Sequence, residues 1–340
     1  MSHSPHYLDG AFVDDEPAEM LKSGGTSHWL KETLFGKEMV EPICPLPTVD
    51  PSAVLQNPPT SGLRVTWLGH STTIIEIDGV TFLTDPNWGE RASPTTIAGP
   101  KRFHPPPLAF EKLPHIDAVL ISHDHYDHLD MGTIKALAAS GVPFHVGLGV
   151  GAHLKRWGVP ASQIFEHDWW DEIQFPKGVR LFSTPARHFS GRGVFTRNPT
   201  LWTSWSLIGP KHRAFFSGDT GMTKGFSEIA QRFAPFDVAM IEIGQWDATW
   251  GDIHLGPSGA LDASLLVGAQ RLVPIHWGTF ALALHAWSQP AEVAYVEAPT
   301  KHVKLLTPRL GEPVEPTDDP PTTPWWRALP PTVPACPQTK

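Results

Sequence analysis

An α/β fold of two packed, strand-rich sheets with helices on the outside is predicted by three observations. Short runs of β-branched and aromatic residues recur between helical patterns, the second half of the chain repeats the plan of the first, and the apolar runs end on His or Asp. In the first half Val65 to Leu68 leads to His70, and Thr72 to Ile77 and Val80 to Leu83 flank Asp78-Gly79, a hairpin signal, before Asp85. Ala118 to Ser122 then reads as a buried strand, Met131 to Ala139 as a helix, Val142 to Leu148 as a strand and Gly151 to Trp157 as a helix. In the second half Val179 to Thr184 leads to His188, Trp202 to Ile208 and Ala214 to Ser217 end at Asp219, and Phe236 to Gly244 mirrors Ile116 to Ser122.

The flanks differ. Residues 1–62 are rich in Pro, Gly and Ser, with a helical candidate at Trp29 to Phe35, and read as an extension wrapping a core at 63–308. Residues 309–340, proline-rich and acidic with Trp325-Trp326, read as a tail on the surface or without fixed structure. With 41% apolar residues the core can bury itself, so most of the 14 tryptophans are expected inside it.

A net charge of −9 with scattered Lys and Arg argues against nucleic acid as a partner. Cys44 and Cys336 suggest neither a disulfide framework nor a thiolate metal site, so metal chemistry would use His and carboxylate. No basic, then apolar, N-terminal stretch marks a secretory signal, and no apolar run has membrane-spanning length; a cytoplasmic protein follows, with peripheral membrane contact and homo-oligomerisation left open.

The chemistry is concentrated in Ser122 to His128, which presents three histidines and two aspartates in seven positions after a buried strand. Side chains two apart in extended backbone share a face, so His123 and His125 can share one metal, while Asp127 and His128 can reach a second as the chain turns. Imidazole and carboxylate suit Zn²⁺, with Fe or Mn as alternatives. A lone histidine after a strand is more often a cap or surface residue. His188, Asp219 and His276 each come soon after a different apolar run, however, so together they mark a rim of strand ends carrying a site.

The spacing His-x-His-x-Asp-His, followed by His, Asp and His, resembles the metallo-β-lactamase superfamily. Trp67-Leu-Gly-His-Ser-Thr72, Leu83-Thr-Asp-Pro86, Ser122 to His128, Arg187-His-Phe-Ser-Gly-Arg-Gly193, Ser217-Gly-Asp-Thr-Gly221 and Ile275-His-Trp-Gly-Thr-Phe280 are similar to the branch holding the N-acylphosphatidylethanolamine-hydrolysing phospholipases D and their bacterial relatives. The resemblance implies a four-layer αβ/βα sandwich and two zinc ions. It assigns His123, His125 and His188 to the first metal, Asp127, His128 and His276 to the second, and Asp219 as the bridge. Asp85 matches an acidic position that supports the ligand loops. His254, in Gly251-Asp-Ile-His-Leu-Gly256, matches a histidine near the metals that could bind a phosphoryl oxygen or protonate a leaving group.

The expected reaction is hydrolysis of a small organic or lipid phosphodiester by a hydroxide shared between the metals, with Asp127 and Asp219 orienting it. Trp246, Trp250 and Phe280 are expected to line an apolar entrance. The loop Gln245-Trp-Asp-Ala-Thr-Trp-Gly251 departs from the Tyr/Arg-containing loop of the mammalian enzymes, which leaves lactone or carboxylic-ester hydrolysis as the second reading. A metal-binding scaffold is the third.

Overall fold

The computed structural model describes residues 3–14, 16–20, 22, 38–193, 196–247 and 249–329. The helical candidate at Trp29 to Phe35 lies outside the described residues.

A short N-terminal hairpin, β1 (Tyr7–Leu8) and β2 (Ala11–Phe12), precedes the core. The first sheet contains β3 (Leu63–Gly69), β4 (Thr72–Ile77), β5 (Val80–Thr84) and β6 (Ala118–Ile121). After α1 (Met131–Ala138) come β7 (Phe144–Gly147), α2 (Gly151–Arg156) and β8 (Ile164–His167). The second sheet contains β9 (Glu172–Gln174), β10 (Arg180–Thr184), β11 (Ser204–Ile208) and β12 (Arg213–Phe216). It continues through α3 (Gly225–Phe233), β13 (Val238–Glu242), α4 (Gly256–Leu266) and β14 (Leu272–Ile275). Finally α5 (Gln289–Glu297) and β15 (Pro313–Val314) follow, the latter returning to the first sheet.

The strand orders are β15-β3-β4-β5-β6-β7-β8 and β14-β13-β12-β11-β10-β9. The duplication seen in the sequence is real in the topology: β3, β4 and β5 are antiparallel and β5 to β8 parallel, while β10, β11 and β12 are antiparallel and β12 to β14 parallel. Asp78 and Gly79 take φ 47° and 82° between the paired Ile77 and Val80, as a two-residue hairpin twisting with its strands requires. Asp78 also accepts from the backbone N–H groups of Lys211 and His212, so each half's hairpin tip steadies the other's.

Alternation along the strands builds the layers. Ala118 and Leu120 of β6, with Ile75, Ile77, Val80 and Phe82, face the core between the sheets; Val119 and Ile121, with Ile74 and Leu83, face Ile134, Leu137 and Leu154 of α1 and α2. Phe226, Ile229, Ala260 and Leu261 bring α3 and α4 onto the outer face of the second sheet. The result is the expected four-layer αβ/βα sandwich of two mixed sheets with helices outside. Asp130 caps α1 by accepting from the backbone N–H of Thr133 at 2.7 Å.

Two expectations are corrected. The segment after Arg309 is not a loose tail as far as Leu329: β15 pairs with β3, and Trp325 and Trp326 are 6% and 5% exposed against Trp277 and Trp287. Two indoles carry enough apolar area to overcome a composition that disfavours regular structure. Cys44 is buried and disulfide-bonded, where the sequence suggested no disulfide framework.

Candidate metal centre

The carboxyl ends of β6, β10, β12 and β14 meet at one rim, and every sequence-predicted site residue lies there. Tight exits from the strands aim the side chains inward. His70 after β3, Asp85 after β5 and His276 after β14 take φ of 49°, 35° and 66°. Each such non-glycine turn costs about 1–3 kcal/mol and persists where the surroundings enforce it. Gly218 has φ 57°, and a Cβ there would sit 2.5 Å from the Ser122 Cβ, so glycine alone lets the Asp219 loop lie against the Ser122 loop.

The donor atoms converge. Asp219 Oδ2 lies 3.1 Å from Nε2 of both His128 and His276, and 3.8 Å from Nε2 of both His123 and His188. Asp127 Oδ2 lies 2.8 Å from His70 Nε2 and 3.2 Å from Nε2 of His128 and of His276. His125 turns Nδ1 inward, 2.8 Å from His123 Nε2 and 3.4 Å from His188 Nε2. Ligands about 2 Å from a tetrahedral ion are separated by roughly 3.3 Å, the spacing seen here. Two sets of four donors result: His123, His125, His188 with Asp219, and His70, Asp127, His128 with His276. Asp219 Oδ1 is buried without a hydrogen-bond partner among the described residues, an orphan that a cation would satisfy.

The outward-facing nitrogens are anchored. His128 Nδ1 donates to Asp85 Oδ2 at 2.7 Å, and Asp85 also accepts from Ser122 N and Oγ at 2.7 and 2.6 Å. His123 Nδ1 contacts Ser122 Oγ at 2.9 Å, His188 Nδ1 donates to the Ile253 carbonyl at 2.8 Å, and His276 Nδ1 is held between the Gly244 carbonyl and the backbone N–H of Gln245, which donates to it at 3.0 Å. With Nδ1 held outward, Nε2 is the nitrogen that each of these rings turns inward, where a metal ligand needs it.

Electrostatics divides the two sets. Burial, reinforced by neighbouring imidazoles, pushes His123 and His188 well below the ordinary histidine value. Burial also lowers His125 despite the Asp127, Asp124 and Asp219 carboxylates. In the other set burial is outweighed. The Asp219 and Asp127 carboxylates raise His128 well above the ordinary value and His276 to about 10, and the same imidazoliums hold both carboxyls well below the usual range. The first set is ready to bind a cation; the second holds protons that a cation would displace.

His254 sits beside Asp219 and His276, and its Nδ1 donates to Glu242 Oε1 at 3.0 Å. Glu242, wholly buried at the end of β13, also accepts from the N–H groups of Thr220 and Leu255 at 3.3 and 3.1 Å. Sequence reasoning gave Glu242 no role, although a carboxylate inside the apolar run Val238 to Ile243 was a visible signal. His70 was seen only as a strand end, and its contact with Asp127 depends on the fold. Asp124 is buried and holds the His188 loop by accepting from Gly191 N at 2.7 Å.

A cavity of about 260 Å³ opens over the donors, walled by Met20, Phe189, Trp250, Ile253 and Leu282. Of the three expected entrance residues only Trp250 lines it. Phe280 is buried edge-on against His70, and Trp246 stacks on His285, because the loop folds away from the opening there.

A domain model described as Beta-lactamase superfamily domain matches residues 81–277. An uncharacterised protein of Mycobacterium tuberculosis (strain ATCC 25618 / H37Rv) is 46% identical over 330 residues, 95% of this chain and 88% of that protein. The N-acyl-phosphatidylethanolamine-hydrolyzing phospholipase D 1 of Caenorhabditis elegans is 36% identical over 274 residues, covering 76% of this chain and 77% of its own length. Among solved structures, an isothiocyanate hydrolase from Delia radicum gut bacteria shares the fold, with TM-score 0.59 at 22% identity over 74% of this chain and 98% of that one. With that match, the duplicated sandwich and the converging His/Asp sets, the chain belongs to the metallo-β-lactamase superfamily, as a metal-dependent hydrolase.

Proposed function

We propose that the chain is a phospholipase D-like phosphodiesterase with two zinc ions, Fe or Mn being the alternatives, acting on a small organic or lipid phosphodiester. The observation that carries this reading is the pair of neighbouring four-donor sets, with Asp219 of one lying 3.1 Å from His128 and His276 of the other, in a chain 36% identical to a relative named as a phospholipase D. His123, His125 and His188 would hold one ion, Asp127, His128 and His276 the other, with Asp219 between them. Bound there, two divalent cations would supply an activated water near neutral pH and positive charge for the transition state.

The chain's own groups divide the remaining work. Asp127 and Asp219 orient the attacking water and take its proton. Glu242 holds His254 Nδ1, so that in its protonated form His254 presents Nε2–H to hydrogen-bond a phosphoryl oxygen or to protonate the leaving alkoxide. Phe189, Trp250 and Leu282 keep water from the organic side of the substrate. The reading includes a cytoplasmic location and peripheral approach to a membrane; no helix among the described residues is long and apolar enough to cross one.

Carboxylic-ester or lactone hydrolysis is the second reading, and the small, apolar-walled cavity favours it. A scaffold without turnover is disfavoured because every donor position is filled. Metal analysis followed by a phosphodiester, lactone and ester panel separates the three. Asp127→Ala is expected to lose at least about a hundredfold in turnover on every substrate, since loss of an outer partner alone costs about 10–100-fold. His254→Ala should lose activity chiefly on phosphodiesters. A zinc-loaded preparation that cleaves neither bis(p-nitrophenyl) phosphate nor an N-acyl phospholipid would reject the phosphodiesterase.

A further inference from the structure

The cavity wall includes one residue from the far end of the chain. Residues 16–20 cross the loop that carries Trp250 and Ile253, pairing with it as a short ribbon. Gly251 N donates to the Met20 carbonyl and Asp252 N to the Glu19 carbonyl, both at 3.1 Å, and Glu19 N donates to Asp252 Oδ1 at 2.8 Å. A Cβ on Gly251 would lie 1.6 Å from the Glu19 carbonyl oxygen, so the approach requires glycine there. Arg187, next to His188, donates to the Glu16 and Pro17 carbonyls at 2.9 and 2.8 Å and also pairs with Asp252. Glu16 Oε1 accepts from Thr223 Oγ1 at 2.7 Å and Lys224 N at 2.8 Å. These bonds seat Met20 in the wall of the cavity that holds His125, Asp127, Asp219, His254 and His276.

We propose that residues 16–20 form a strap that closes the substrate cavity and that Met20 sets the length of the apolar group accepted beside the metal-binding rim. The proposal rests on the hydrolase reading of this site but not on phosphodiesters as its substrate. With the strap in place the cavity is about 260 Å³, below the roughly 300–1,000 Å³ usual for small-molecule sites. It therefore buries a short chain fully, and further length is buried only where Met20 gives way. Methionine suits that place, being unbranched and able to fill an irregular gap.

Alkylhydroxamic acids of increasing chain length test this in the metal-loaded full chain, because their head group chelates a divalent cation whatever reaction the site performs. Calorimetry on the parent should show about fourfold tighter binding for each buried methylene, up to a break beyond which added length gives nothing. Met20→Ala and Gly251→Ala should move the break to longer chains and Met20→Trp to shorter ones. Bound metal and melting temperature should stay at the parent's values in both Met20 variants. Identical length profiles in parent, Met20→Ala and Met20→Trp overturn the proposal, as does a parent that binds all lengths alike or none. Absence of phosphodiester turnover beside a shifted break would reject the phosphodiesterase and leave the strap standing.

Discussion

At the residue scale, the most informative side chain is one that touches no donor set directly. Glu242 ties two loops together through a single carboxylate oxygen: Thr220 beside Asp219 on one, and the adjacent His254 and Leu255 on the other. If it acts through His254, Glu242→Gln should lower kcat about 10–100-fold with KM and metal content unchanged. In a His254→Ala background the same substitution should add little, a coupling that steady-state kinetics on the double-mutant cycle would show. Additive losses, or a lowered melting temperature with kcat intact, would make Glu242 a structural residue only. Asp85 shows the complementary case. The resemblance made it a support for the ligand loops, and the structure gives it a tight strand exit as well, with φ 35° and hydrogen bonds to Ser122 and His128.

At the element scale, the strands were legible because apolar alternation and the Asp78-Gly79 turn act locally. The C-terminal segment was not legible, because its stability comes from partners far away in sequence. Trp325 stacks on Trp277 at 5.4 Å, and Trp277 in turn stacks on Trp67 at 5.2 Å, joining β15's neighbourhood to β3 and β14. The Trp326 indole donates to Glu292 of α5 at 2.8 Å. Trp325→Ala should therefore cost about 3–5 kcal/mol, the range for a buried tryptophan, as measured by denaturant unfolding. A loss below about 1 kcal/mol would mean that this segment is peripheral after all.

At the scale of the whole molecule, the rim couples folding, pH and metal. In the metal-free chain His70 is pushed down to about 3, chiefly by burial, and His123, His125 and His188 are lowered too. Their contribution is lost as pH falls below about 6.5. His128 and His276 are raised by Asp127 and Asp219, so their contribution is full below about 6.5 and is lost as pH rises toward about 10 for His276. The melting temperature of chelator-treated protein should accordingly peak near pH 6.5 and fall on both sides. Metal loading at pH 7.5 should flatten the alkaline side and release up to about two protons per chain, read from calorimetry in buffers of different ionisation enthalpy. Metal uptake without proton release would show that the ions bind elsewhere.

By itself the sequence determined the layer architecture, its internal duplication, and seven His and Asp residues that the structure brings to one rim. Periodicity and strand-end chemistry are local properties, and the cluster from His123 to His128 is contiguous. Only the tertiary structure decided that His70 reaches Asp127, that Glu242 aims His254, that the final tryptophans complete the core, and that Met20 borders the cavity. Each depends on segments far apart in the chain being packed together, and on polar groups whose partners exist only once water has been excluded.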